Sequence, residues 1–321
     1  MASFRKLKTG WRAEVSRGGI RKSKVFPTQR EAKDWAARAE YEIKNGDRVA
    51  SKTRFGDILD RYAREVSPKK RGHRWEAIKL GNFGNDPIAN IRMGDLSATD
   101  LADWRDKRLR EVSTGTVARE MSLLSAVLTQ ARREWRLISI NPMSDVRKPT
   151  SPPPRTRLPA PDEIERLRLV AGEDLTKTTA RAFHAFLFAG ETAMRAGEIV
   201  GLSWSRIDME KRVAHLPMTK NGTARDVPLT SEAVRLLQAL PEIEPVFGIT
   251  SGNLDALWRK IRGKALVDGL RFHDSRAWAL TKLARKVDVM TLAKISGHRD
   301  LKILLNTYYR ETAEDIARRL D

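Results

Sequence analysis

Two adjacent tyrosines, Tyr308 and Tyr309, stand near the end of a 321-residue chain that has only four. They close the stretch "SGHRDLKILLNTYYR", whose histidine is His298. Upstream, "RFHDSRAWALTKLA" sets His273 and Arg276 three residues apart, on one side of a helix if one begins there. "ETAMRAGEIVGLSWSRID" sets Arg195 three residues before Glu198. An arginine there either pairs structurally with Glu198 or is held by it toward a ligand. Lys220 directly precedes Asn221-Gly222, a strong two-residue hairpin signal, and so belongs at a hairpin tip. Guanidinium forks match the paired oxygens of phosphates and carboxylates, and imidazoles exchange protons near neutrality. A phenol, with a pKa near 10, becomes a nucleophile only with a base or strong positive charge beside it.

The formal net charge of +20, spread along the whole chain, calls for a polyanionic partner, nucleic acid first. There is no cysteine, which excludes disulfides and thiolate metal sites. The five histidines (His73, His184, His215, His273 and His298) are dispersed and form no HExxH pair, so neither metal nor cofactor is expected. No apolar run approaches the roughly 18–20 residues of a membrane span, and "MASFRKLKTGW" lacks the apolar segment of a signal peptide. The expectation is a soluble, cytoplasmic protein with no membrane partner.

The elements that must position these residues read as three segments. Residues 1–50 show alternating runs broken at Thr9-Gly10 and Gly18-Gly19, then "QREAKDWAARAEYEI" with Thr28 as its cap. Three strands and one helix are expected, Trp11, Ala13 and Val15 facing inward. Arg5, Lys6, Lys8, Arg12, Arg21, Lys22 and Lys24 make that sheet a candidate DNA-binding surface. Residues 53–147 read as helical, with Ser97 or Thr99 capping one helix. In "STGTVAREMSLLSAVLTQARREW", Val117, Met121, Leu124, Leu128, Ala131 and Trp135 recur at helical spacing. Arg119, Arg132 and Arg133 lie off that stripe and are candidate phosphate contacts. "KPTSPPPRTRLP" cannot continue a helix, so 148–157 is expected to be an extended linker. Residues 158–321 restart with "PDEIERLRLVAG" and stay mainly helical around one hairpin. The fold class is therefore mainly α with small β elements, α+β.

Taken in order, Arg195, Lys220, His273, Arg276, His298 and Tyr308/Tyr309 resemble the signature of the tyrosine recombinase family of phage-integrase type. "TAMRAGEIVGLSWSRID" is similar to its first arginine box, "FHDSRAWALTKLA" to its HxxR box, and "ISGHRDLKILLNTYYR" to its histidine-to-tyrosine box. The resemblance implies a catalytic domain over 158–321, a core-binding domain over 53–147 and an arm-type DNA-binding domain over 1–50. It implies a site-specific recombinase that cuts and rejoins double-stranded DNA at attachment-type sites through a 3′-phosphotyrosine. In that chemistry Arg195 and Arg276 hold the phosphate, and Lys220 protonates the leaving 5′ oxygen. His273 is the base, His298 a donor to the phosphate, and Glu198 a support for the first box. The family commonly places its nucleophile nine residues after the histidine, here Thr307. The downstream "AED" register in "YYRETAEDIARRL" favours Tyr308, with Tyr309 as the alternative.

The resemblance further implies a homo-tetramer on DNA, with accessory bending or directionality proteins as possible partners. Ala313, Ile316, Ala317 and Leu320 would form the stripe of a last helix that docks on its own domain or on a neighbouring subunit. Two other readings share parts of the pattern. A type IB topoisomerase uses the same chemistry without strand exchange, and a DNA-binding architectural protein would have lost a catalytic residue, which this chain has not.

Overall fold

A computed structural model describes the chain except Met1, Lys8, Gly18, Gly19, 47–52, Ser151, Pro154, Thr156, 219–221, 310–316 and 318–321. The expected Gly18-Gly19 turn, the hairpin tip with Lys220, the cation Lys8 and most of the last helix lie outside the described residues. The chain divides into two units, Met1–Pro153 and Pro154–Asp321, and the break falls inside the proline-rich stretch.

In the first unit, β1 (Ala2–Leu7), β2 (Gly10–Arg17) and β3 (Ile20–Phe26) form an antiparallel sheet in that order. Helix α1 (Gln29–Gly46) packs on one face. Thr28 and Glu31 cap its start reciprocally, side chain to backbone, at 3.3 Å each. Ala13, Val15, Ala32, Ala36 and Ala39 are the buried core between sheet and helix. The small alanines let the helix backbone lie close to the strands.

The helical part contains α2 (Phe55–Glu65), α3 (His73–Gly84), α4 (Ala98–Leu109) and α5 (Thr114–Arg133). Ser97, rather than Thr99, caps α4, its Oγ accepting from the Asp100 amide at 3.3 Å. Val117, Met121, Leu124, Leu128 and Ala131 are all fully buried, as their spacing requires. Helix α5 stops two residues before Trp135, whose ring is half-buried with the Arg61 guanidinium 4.3 Å from its centre.

The second unit is built around α7 (Thr178–Thr192), which is apolar nearly all round and therefore central. Around it lie α6 (Pro161–Ala171), α8 (Ala196–Val200), α9 (Ser231–Gln238) and α10 (Ser251–Lys264). Helices α11 (Asp274–Ala284), α12 (Val289–Ser296) and α13 (Leu301–Tyr308) follow. Phe186 of α7 stacks on Trp258 of α10 at 4.3 Å, and Trp258 meets Phe272 edge-on at 5.7 Å. Gly190 lets α11 approach: a Cβ there would stand 2.5 Å from the Trp278 ring. Strands β4 (Ile207–Asp208), β5 (Val213–Leu216) and β6 (Arg225–Pro228) form a second antiparallel sheet. The expected hairpin is β5–β6, and β4 adds a short third strand on the far side of β5.

A second small core lies beneath the last three helices, where Ala193, Ala279, Leu280, Leu292, Ala293 and Leu304 are buried with Tyr308 and Tyr309 packed against them. This cluster ties the sequence boxes to one another. Among the described residues, no helix is long and apolar enough to cross a membrane.

Candidate active site

The run around Arg195 is not one helix. Helix α7 ends at Thr192, and Ala193 turns into the left-handed region at φ 53°. Such a conformation costs a non-glycine residue about 1 kcal/mol or more. It brings Arg195 to the N-cap of α8, where its amide donates to Glu198 Oε2 at 2.8 Å and its Nη1 to Oε1 at 3.0 Å. Side chain and backbone are thus fixed by one carboxylate.

Arg276 is 4% exposed and stands in the first turn of α11. Its Nη1 donates to the Ala193 carbonyl and its Nη2 to the Ser296 carbonyl at 2.7 Å. One guanidinium thereby joins the turn before Arg195 to the end of α12, just before His298. Two of its five N–H donors serve this role. Burial, then the neighbouring Arg195 and Arg225, press its pKa down to about 9, so it stays charged at neutral pH. His273 sits one step before the helix rather than within it, and it is exposed while Arg276 is buried. The two do not share a buried face. His273 instead lines a 450 Å³ cleft with Ala196, Trp258, Arg262 and Arg271.

His298 follows Gly297, which ends α12 at φ +69°. Its Nδ1 lies 2.6 Å from Ser296 Oγ. Burial first, then Arg276, Arg195 and Arg225, hold its pKa down to about 4, so the imidazole is neutral at pH 7.

The two tyrosines differ sharply. Tyr309 donates its hydroxyl to the Val287 carbonyl at 2.6 Å. Tyr308, half-buried at the end of α13, makes no hydrogen bond through its hydroxyl among the described residues. Burial raises its pKa, and the charge of Arg276 works against that rise.

Sequence reasoning missed Arg225. It stands on β6, 8% exposed, and grips Glu198 from the other side, Nη1 to Oε1 at 3.0 Å and Nη2 to Oε2 at 2.8 Å. Its guanidinium also abuts Gly297, where a Cβ would lie 2.9 Å from Nη1. Its signal was an arginine alternating with Val227 on a predicted strand, but nothing local named its partner. Burial pushes the Glu198 carboxyl up, yet the Arg195 amide and the two guanidiniums prevail and hold it below its ordinary value. Beside it a 360 Å³ cleft opens between Arg195, Gly197, Arg206, Leu216 and Met218. The other histidines are accounted for elsewhere: His73 is exposed with Nδ1 3.1 Å from the Lys70 carbonyl, His184 is a half-buried ring bonded to the Leu236 carbonyl at 2.7 Å, and His215 pairs with Asp226 at the surface.

The remaining basic candidates do not form one patch. Strand register puts Arg5, Arg12 and Arg21 on the open face of the first sheet. Lys6, Lys22 and Lys24 share the face covered by α1 and are exposed at its margins. Arg21 is ion-paired with Glu14. On α5, Arg119 and Arg133 are exposed and Arg132 is partly covered.

This arrangement of helices occurs in DNA integrases of known structure. A lambda integrase tetramer bound to a Holliday junction superposes with a TM-score of 0.65 at 18% identity, covering 95% of each chain. The Tn1549 transposon integrase in complex with transposon right end DNA gives 0.66 at 18%, over 83% of this chain and 98% of that one. These likenesses are of fold. In sequence, residues 160–315 match the phage integrase family. A Haemophilus influenzae protein designated an integrase/recombinase is 43% identical over 96% of this chain and 87% of its own length. The shufflon-specific DNA recombinase of Escherichia coli is 36% identical over 82% and 70%. The chain belongs to the phage integrase family, the tyrosine-type site-specific recombinases.

Proposed function

We propose that the chain cuts and rejoins double-stranded DNA at specific attachment-type sites, with Tyr308 as nucleophile. Its hydroxyl attacks a backbone phosphorus, an Oη–P bond forms, the bond to the 5′ oxygen breaks, and a 3′-phosphotyrosine results. Arg195 and Arg276 hold the non-bridging oxygens, whose charge grows in the transition state. Lys220, which lies between β5 and β6 in the sequence, gives the leaving oxygen its proton. His273 and His298 are the imidazoles through which the phenol loses its own. Glu198 supports Arg195.

The observation that carries this reading is the contrast beside Arg276: the Tyr308 hydroxyl is unbonded among the described residues, and that of Tyr309 is committed to Val287. The open face of the first sheet, with Arg5, Arg12 and Arg21, and Arg119, Arg132 and Arg133 of α5 would contact DNA backbone in the arm-type (1–50) and core-binding (53–147) domains. The 148–157 linker would lead from these to the catalytic domain, 158–321. A tetramer is the working assembly, in the cytoplasm and on the nucleoid, with bending or directionality proteins as partners.

The test is a denaturing gel for a covalent protein–DNA adduct on a nicked duplex carrying the sequence that flanks the gene. Wild type and Tyr309→Phe should form the adduct and Tyr308→Phe should not. An adduct from Tyr308→Phe would refute the assignment.

A further inference from the structure

Ser296 is fully buried, and it touches two residues of the site through different atoms. Its carbonyl accepts from Arg276 Nη2. Its hydroxyl lies 2.7 Å from the Leu292 carbonyl and 2.6 Å from His298 Nδ1. A hydroxyl has one proton and two lone pairs. The Leu292 carbonyl can only accept, so it takes the serine proton, and Nδ1 must then bring a proton of its own. In the opposite tautomer, two lone pairs would face each other at one of these short contacts, in a place closed to water.

We propose that Ser296 is a positioning residue that fixes His298 as the Nδ1–H tautomer, so that Nε2 enters the reaction as a hydrogen-bond acceptor. The inference rests on the recombinase reading only for its catalytic consequence. The backbone supports the lock: the amides of Gly297 and His298 both donate to the Ala293 carbonyl, at 2.8 and 3.2 Å, so the turn carrying the ring is held from both residues. Among the described residues Nε2 makes no hydrogen bond of its own. The charged groups acting on the ring are Arg276 of α11, Arg195 at the start of α8 and Arg225 of β6. All three are cations and oppose a second proton on the imidazole.

A neutral Nδ1–H imidazole cannot donate to a phosphate oxygen through Nε2. It can accept. As Tyr308 Oη bonds to phosphorus and the 5′ oxygen departs with a proton from Lys220, the phenolic proton passes to His298 Nε2. The imidazolium so formed carries hydrogen on both nitrogens, and Nε2–H then donates to the phosphotyrosine oxygens. Religation returns the proton to Tyr308. His298 thus becomes a donor only after it has acted as an acceptor.

The test is a long-range ¹H–¹⁵N correlation spectrum of the imidazoles in the full chain at pH 7, with His298 assigned by its loss in His298→Gln. A protonated Nδ1 beside an unprotonated Nε2 is expected, and the reverse pattern overturns the lock. The spectrum is read on the free protein, so its outcome does not depend on whether the chain cuts DNA. Ser296→Ala should release the ring toward the Nε2–H form and lower single-turnover cleavage about tenfold or more at unchanged DNA affinity, while Ser296→Thr should restore both. An unchanged tautomer in Ser296→Ala would likewise overturn the proposal.

Discussion

Glu198 and Arg225 close a two-point ion pair across 27 residues of chain, at 3.0 and 2.8 Å, with both side chains 8% exposed. The same carboxylate also holds Arg195 by side chain and amide. A carboxylate that neutralises two guanidiniums, one of them nearly buried, is costly to remove, because it leaves unpaired charge behind. Glu198→Ala should destabilise the protein by about 3–5 kcal/mol. Arg225→Ala should cost a similar amount, and the double variant should fall well short of the sum. Urea unfolding of the four proteins measures the coupling, and strict additivity would show that the pair is not energetically linked.

The tyrosines should separate stability from chemistry. Tyr309→Phe removes the bond to the Val287 carbonyl and leaves a part-buried acceptor, costing about 1–2 kcal/mol. Tyr308→Phe removes a hydroxyl with no partner among the described residues and should leave stability within about 0.5 kcal/mol of wild type. Thermal unfolding of both variants decides this, and a larger loss from Tyr308→Phe would contradict the observed hydrogen bonding.

Gly297→Ala should be disproportionately harmful for a one-carbon change. The left-handed backbone alone costs about 1–2 kcal/mol. The new Cβ would also press on Arg225 Nη1 at 2.9 Å and Cδ at 3.3 Å, loosening the grip on Glu198. A melting temperature close to that of wild type would mean that the arginine can move aside freely.

Acid should weaken the fold through His298. Its pKa is held down to about 4 in the folded chain against an ordinary 6.5, so over that range the unfolded state binds more protons. The contribution is fully present above pH 6.5 and is lost as pH falls toward 4. Glu198, also depressed, adds a loss that begins near its ordinary value of 4.5 and lies at lower pH. Urea midpoints from pH 7 to pH 5 should therefore decline less steeply in His298→Gln than in wild type. Parallel declines would show that the histidine is not held neutral.

Much of the molecule followed from local pattern. Strand alternation placed Ala13 and Val15 inward, helical spacing buried Val117 through Ala131, and cap chemistry placed Thr28 at one helix start and offered Ser97 or Thr99 at another. The order of the boxes gathered Arg195, Arg276, His298 and Tyr308 into one set. The alternation, spacing and cap readings need only neighbours within a turn or a strand, which the sequence displays directly, whereas the set of boxes rests on the family resemblance.

What tertiary structure decided was every pairing between elements. The sequence could not choose between a structural and a ligand-directed Glu198; packing gave that carboxylate a second arginine from β6. Two like tyrosines became unlike because α13 docks so that only Tyr309 reaches the Val287 carbonyl. Register divided the basic residues of the first sheet between two faces, where composition had joined them. Ser296, unremarkable in the string, was set between Arg276 and His298 by the burial of α12. Periodicity reports which side of an element is apolar, but the partner across an interface depends on how elements pack, and that is fixed only when the whole core closes.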